Sequence, residues 1–140
     1  MYLKRLSAVN MGPINDVSIT FPFEESGNPK PVIIVGENGT GKTTLLSNVV
    51  DSLYELAEKA FNDVTKSDGG SGHQYFKAIS PSEIQIGKEY MCSIIEYTCP
   101  RNPTYSIGYV MKCGSVPADL IKSSNNFCAN KKVSWKDTEG

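Results

Sequence analysis

Residues 32–46 constrain this chain more than any other stretch. Val32-Ile33-Ile34-Val35 is a continuous apolar run, the pattern of a strand buried on both faces in a parallel sheet. Gly36-Glu37-Asn38-Gly39-Thr40-Gly41 comes next, and Lys42-Thr43-Thr44-Leu45-Leu46 opens a helical pattern. Gly39 and Gly41 allow a backbone with positive φ that approaches an anion closely. Gly36 to Thr43 fits G-x-x-x-x-G-K-[ST], the loop whose N–H groups cradle nucleotide phosphates at a helix N-terminus. In that reading Lys42 reaches the β- and γ-phosphates as a point charge, and the Thr43 hydroxyl ligates Mg²⁺. The alternative is a glycine-rich turn between strand and helix with a solvated Lys.

Composition narrows the rest. At 140 residues the chain is one small domain or a piece of a larger one. Its net charge of −1 gives no global field for nucleic acid, although a local patch remains open. Basic residues are scattered apart from Lys4-Arg5 and Lys131-Lys132. No apolar run reaches transmembrane length, and Met1 to Leu6 lacks the apolar centre of a signal peptide. A cytoplasmic protein without membrane partners is expected. Cys92, Cys99, Cys113 and Cys128 form no C-x-x-C, and the single His73 lies apart from them. A zinc site is thus poorly supported, and all four read as reduced packing or surface thiols.

In chain order, residues 2–9 read as a first strand, Asn10-Met11-Gly12-Pro13 as a turn, and Val17 to Phe21 as a second, half-buried strand. Glu24 to Pro31 is a loop by composition. After the glycine-rich loop, Leu45, Leu46, Val49, Val50, Leu53, Leu56, Ala57, Ala60, Phe61 and Val64 recur at helical spacing for about six turns. That stripe is expected to pack on the sheet. Ser47, Asp51, Glu55, Glu58, Lys59 and Asp63 are expected on the polar face, with Glu55 and Lys59 as an i,i+4 pair. Ser67 to Gly72 reads as a flexible linker, and His73 as an exposed loop residue. Glu89 to Cys99 and Tyr105 to Cys113 suggest an antiparallel hairpin around Arg101-Asn102-Pro103. Beyond residue 113 periodicity fades, with a helical turn at 118–123 and a short strand at 133–135 as weak signals. The division expected is 1–66 as core, 67–74 as flexible loop, 75–113 as antiparallel β-subdomain and 114–140 as irregular tail.

A hydrolytic site of this kind usually needs a second acidic element, an apolar strand ending in Asp or Glu. The nearest approximation is Ser93-Ile94-Ile95-Glu96. It lies in an alternating strand, so Glu96 reads as a surface residue. The chain is therefore expected to bind a nucleotide without carrying a full hydrolytic set.

Asn10-Met11-Gly12-Pro13-Ile14 upstream of Gly36-Glu37-Asn38-Gly39-Thr40-Gly41-Lys42-Thr43-Thr44 resembles the N-terminal lobe of ABC-type ATPases of the SMC/Rad50/RecF and overcoming-lysogenization-defect (OLD) group. The finer likeness is to OLD-like ATPases of bacterial defence systems of Septu and retron type. The resemblance covers residues 1–65 well and 75–113 loosely. It implies an α/β fold, a P-loop NTPase of the ABC head type with an antiparallel β-subdomain. It implies that ATP is sandwiched between two heads, in a homodimer or higher oligomer. It assigns Gly36 and Asn38 to Thr44 to the triphosphate, Lys42 to catalysis, Thr43 to Mg²⁺, and Asn10 and Met11 to the base or ribose. Met11 departs from the aromatic usual there. The signature motif, the acidic Walker B strand and the switch His belong to a C-terminal lobe that this sequence does not contain, so a longer chain or a partner would supply them.

The function expected from these features is a nucleotide-dependent switch that controls a nuclease-like, nucleic-acid-directed effector. One rival is a non-catalytic nucleotide-binding or scaffold module. Another is a small phosphotransferase, disfavoured by two strands ahead of the loop and by arginines limited to Arg5 and Arg101.

Overall fold

The computed structural model describes residues 1–60, 64–66, 73–75, 78, 79, 81–99, 102–120 and 137–139. The elements are β1 (Tyr2–Met11), β2 (Ile14–Thr20), α1 (Lys42–Ala60), β3 (Val64–Lys66), β4 (His73–Tyr75), a 3₁₀ turn (Pro81–Glu83), β5 (Tyr90–Cys99), β6 (Asn102–Gly114) and β7 (Asp137–Glu139). One sheet runs in the order β2-β1-β5-β6-β7. Its first four strands are antiparallel, and β7 joins β6 in parallel. The chain is thus α/β, with a four-stranded antiparallel sheet at its centre. β1 pairs with both β2 and β5, so residues from the two ends of the region 1–114 share this sheet.

The alternation read in the sequence builds the core. Leu6 stands opposite Ile19 and Ile95, Ala8 opposite Val17 and Ser93, and Tyr109 opposite Ile95. Leu6, Ala8, Ile95, Tyr97, Tyr109, Met111 and Cys113 are all buried in one cluster, which Leu45 of α1 joins. Side chains two apart share a sheet face, and Ser93 and Tyr97 bond to α1, so this is the face the helix covers. At the end of β1 the alternation breaks. Asn10 has φ +53°, and Asn10 and Met11 are both buried in succession.

Several expectations change. Val32 to Val35 form no strand, and they are 42%, 86%, 39% and 86% exposed. A strand buried on both faces needs a neighbour along each edge and a layer above and below. None of these surrounds the run among the described residues. Along α1 the apolar and polar roles are partly exchanged. Leu45 is buried and Val49 and Leu56 pack at the core margin, but Leu46, Val50, Leu53 and Tyr54 are exposed. Asn48, Asp51, Ser52 and Glu55, at i, i+3, i+4 and i+7, are buried instead. Asp51 and Glu55 therefore do not belong to a solvated face. Val64, expected on the helix, lies in β3. His73 is in β4, paired in parallel with Val64, and not in a loop.

The expected hairpin forms, with Tyr90 to Thr98 in register against Gly114 to Ser106. Residues 118–120 make a helical turn. Phe61, Asp63, the linker Ser67 to Gly72, Cys128 and the strand expected at 133–135 lie outside the described residues, as do the side chains of Glu58 and Lys59. Cys92, Cys99 and Cys113 are thiols outside any disulfide among the described residues. Among the described residues no helix is long and apolar enough to cross a membrane.

Candidate nucleotide-binding site

The glycine-rich loop leads into the first turn of α1. Gly39 and Gly41 take φ of +83° and +96°, as the sequence predicts for a loop folding back on itself. Gly41 carries a second constraint. A Cβ placed there would lie 2.5 Å from Ile14 Cγ1 and 3.2 Å from Pro13 Cγ. The loop is thus seated directly on the β1–β2 turn, and Leu45 N–H donates to Gly41 O at 2.9 Å to start the helix.

Lys42 bends back over the loop. Its Nζ donates to Gly36 O at 2.6 Å and to Glu37 O at 2.5 Å, while Thr40 Oγ1 donates to Glu37 O at 2.8 Å. An ammonium so placed is held within the loop by carbonyl dipoles. Gly36 to Thr40 and Thr43 are exposed, and Thr44 is half-buried. A helix N-terminus, a cation and an accessible glycine loop together suit a polyphosphate. The loop N–H groups and Lys42 suit the nucleotide that the sequence calls for, and Thr43, exposed at the start of α1, carries the hydroxyl expected at Mg²⁺.

Asn10 and Met11 have a different setting. The Met11 side chain is 0% exposed and packs in the core, and Asn10 is also buried. Asn10 O accepts from Gln85 N at 3.0 Å, and Gly12 N donates to Glu83 O at 2.6 Å. Met11 itself bridges Ile84. These residues anchor the 83–85 segment beside the loop, and both side chains are buried.

Glu96 is not the surface residue the sequence suggested. It is buried, and its Oε1 accepts from Lys4 Nζ at 2.9 Å. It neighbours Tyr97, whose side chain contacts α1, so Glu96 projects from the opposite face of the sheet. A carboxylate there is separated from the loop and α1 by the sheet itself.

A family model described as an AAA domain matches residues 5–107. The chain belongs to this AAA-domain family. The family is associated with SMC/Rad50-like ABC ATPases, which agrees with the broad placement from the Asn10–Ile14 and Gly36–Thr44 motifs and makes the chain an ATPase-like nucleotide-binding module. No curated protein matches it.

The residues missed by sequence reading in this AAA domain are Asp51 and Ser52, which tie α1 to residues 78–79 and Tyr97, and Glu83 and Gln85, which bond the β1–β2 turn beneath the loop. For Asp51 and Ser52 a signal existed. They share the 48/51/52/55 spacing of one helix face, of which the sequence reading assigned Asp51 and Glu55 to solvent on polarity alone. Glu83 and Gln85 had none, since their partners lie some 70 residues away in sequence.

Proposed function

We propose that the chain is the ATP-binding lobe of an ABC-type head with a P-loop NTPase fold. Gly36 and Asn38 to Thr44 hold the triphosphate, Lys42 neutralises its β- and γ-oxygens, and the Thr43 hydroxyl takes part in holding Mg²⁺. Bound MgATP supplies the charge that draws assemblies together and the bond that resets them. The observation that carries this reading is the Lys42 ammonium turned into the loop between Gly36 and Glu37 at the start of α1. Phosphate oxygens would take the place of those carbonyls as its partners.

The chain binds without cutting by itself. Support comes from Glu96, the nearest approach to an acidic strand end, which stands on the face away from α1. Further support comes from the exposure of Val32 to Val35 together with Leu46, Val50 and Leu53, which suits a second lobe that completes a parallel sheet and brings the catalytic acids. Two heads closing on ATP, in a dimer or higher oligomer, would then act as a switch on a nuclease-like effector in genome maintenance or antiviral defence of the Septu or retron kind. That last step rests on the sequence likeness alone.

In the intact protein, Lys42→Ala should abolish measurable MgATP binding by calorimetry. Wild-type affinity in that variant would remove the basis of this reading. Reconstitution of hydrolysis should require the second lobe, and steady turnover by residues 1–140 alone would contradict the division of labour.

A further inference from the structure

The first turn of α1 holds no acidic residue of its own. A carboxylate reaches it from elsewhere in the chain. Glu83 ends the 3₁₀ turn, and the backbone around it is pinned to the end of β1. Gly12 N donates to Glu83 O at 2.6 Å, Met11 bridges Ile84, and Gln85 N donates to Asn10 O at 3.0 Å. The side chain is placed by Gly12, whose φ of +54° lies in the left-handed region. A Cβ on Gly12 would lie 3.3 Å from Glu83 Oε2 and 3.7 Å from Thr44 Oγ1. The Glu83 carboxylate and the Thr44 hydroxyl thus flank one point, the place a side chain at Gly12 would fill.

That charge has no counter-ion beside it. Among the described residues no Lys or Arg pairs with Glu83, and the Lys42 ammonium is taken up by Gly36 O and Glu37 O. Glu83 is half-buried and lines an open cavity of about 330 Å³ with Gly12, Pro13 and residues 82–86. Charges closer than about 10 Å still act on one another at ordinary ionic strength, and Glu83 stands well within that range of Thr44, one of the residues given to the triphosphate. A polyphosphate on the loop therefore gains from Lys42 and the helix N-terminus and loses to Glu83. The loss grows with the ligand's negative charge, so it is greater for the bare polyanion than for its Mg²⁺ complex.

We infer that Glu83 is a specificity residue of the phosphate loop, which sets its preference for a metal-complexed over a metal-free polyphosphate. It acts by repulsion across the gap at Gly12 and needs no contact with the ligand. This rests on the phosphate-loop reading of residues 36–44. It predicts a gain of binding when the charge is removed, confined to the metal-free ligand. A residue that merely shapes the β1–β2 turn or supports the start of α1 would instead lower affinity or stability when altered.

The test compares one ligand in two charge states. In the intact protein, the affinity for inorganic tripolyphosphate is measured by calorimetry with Mg²⁺ and with EDTA, for wild type, Glu83→Gln and Lys42→Ala. Glu83→Gln removes the charge, keeps the side-chain length and leaves the Glu83 carbonyl free to accept from Gly12 N. It should tighten metal-free tripolyphosphate roughly fivefold while changing the Mg²⁺ complex less than about twofold. Equal gains for both forms, no gain for either, or a loss for either overturns the proposal. Should Glu83→Gln fail to fold, Glu83→Ala removes the same charge and keeps the same backbone bond, and the same selective gain is required of it. Loss of both forms in Lys42→Ala upholds the phosphate-loop reading independently, whereas retention there locates the failure in that reading and not in Glu83.

Discussion

The two sides of α1 obey opposite rules. The side against the sheet holds Leu45 but is mostly polar beyond it, and Asn48, Asp51 and Ser52 each have a specific partner. Ser52 Oγ donates to Val49 O at 2.7 Å and meets Tyr97 Oη at 2.6 Å, Ser93 Oγ donates to Asn48 Oδ1 at 3.1 Å, and Asp51 holds two backbone N–H groups. The other side is apolar and open, with Leu46, Val50, Leu53 and Tyr54 exposed, as is the Val32–Val35 run that precedes the loop. Burial rewards apolar area without regard to direction, whereas a buried hydrogen bond demands one geometry. The inner side thus fixes where α1 sits on the sheet. The outer side holds surface whose burial would stabilise an assembly with the proposed second lobe.

The largest test of this contrast is Ile33→Asp. If the outer surface is covered in the intact protein, a carboxylate there should lower stability by about 3 kcal/mol or more, read from the urea midpoint. A change within about 0.5 kcal/mol would mean that the run stays in water, and the contrast would collapse to a surface feature. Next comes the loop that joins the two sides. Gly41→Ala combines a φ of +96° with a Cβ 2.5 Å from Ile14 and should cost about 2–3 kcal/mol, whereas Gly39→Ala, with no atom near its Cβ, should cost nearer about 1 kcal/mol. Equal costs would show that the seat on Ile14 contributes nothing.

The smallest effects lie on the inner side. Ser52→Ala should cost about 1 kcal/mol, because it strips the Tyr97 hydroxyl of its closest partner. Burial raises the Tyr97 hydroxyl above its usual 10.0, and the Ser52 bond opposes that rise. The folded state therefore retains this proton where the unfolded chain releases it. The stability it contributes is complete below pH 10 and declines as pH rises from there toward the folded value. Urea midpoints between about pH 9 and 11 should fall less steeply in Tyr97→Phe, and identical slopes would place Tyr97 outside this linkage.

Much of the antiparallel sheet was legible because its strands obey a local rule. Val17-Ser18-Ile19 and Ile107 to Met111 alternate, and a period of two states both the strand and its buried face. The glycine loop was legible for a similar reason, since Gly39, Gly41 and Lys42 carry their conformation and charge with them. Glu96 and Asp51 were misread because burial of a charge depends on a partner elsewhere in the chain. Lys4 lies 92 positions from Glu96, and Ala78 lies 27 from Asp51. Nothing at either carboxylate announces that partner.

The sequence by itself determined the loop, its two left-handed glycines, its cation and the alternating strands, since each arises from forces acting over a few residues. Only the tertiary structure decided which side of α1 faces the sheet. It also settled that Asn10 and Met11 serve as anchors for segment 83–85, and that Val32 to Val35 stand outside the sheet. These depend on which distant groups come within hydrogen-bonding or packing distance, and a residue's own chemistry is compatible with more than one such outcome until the chain has closed around it.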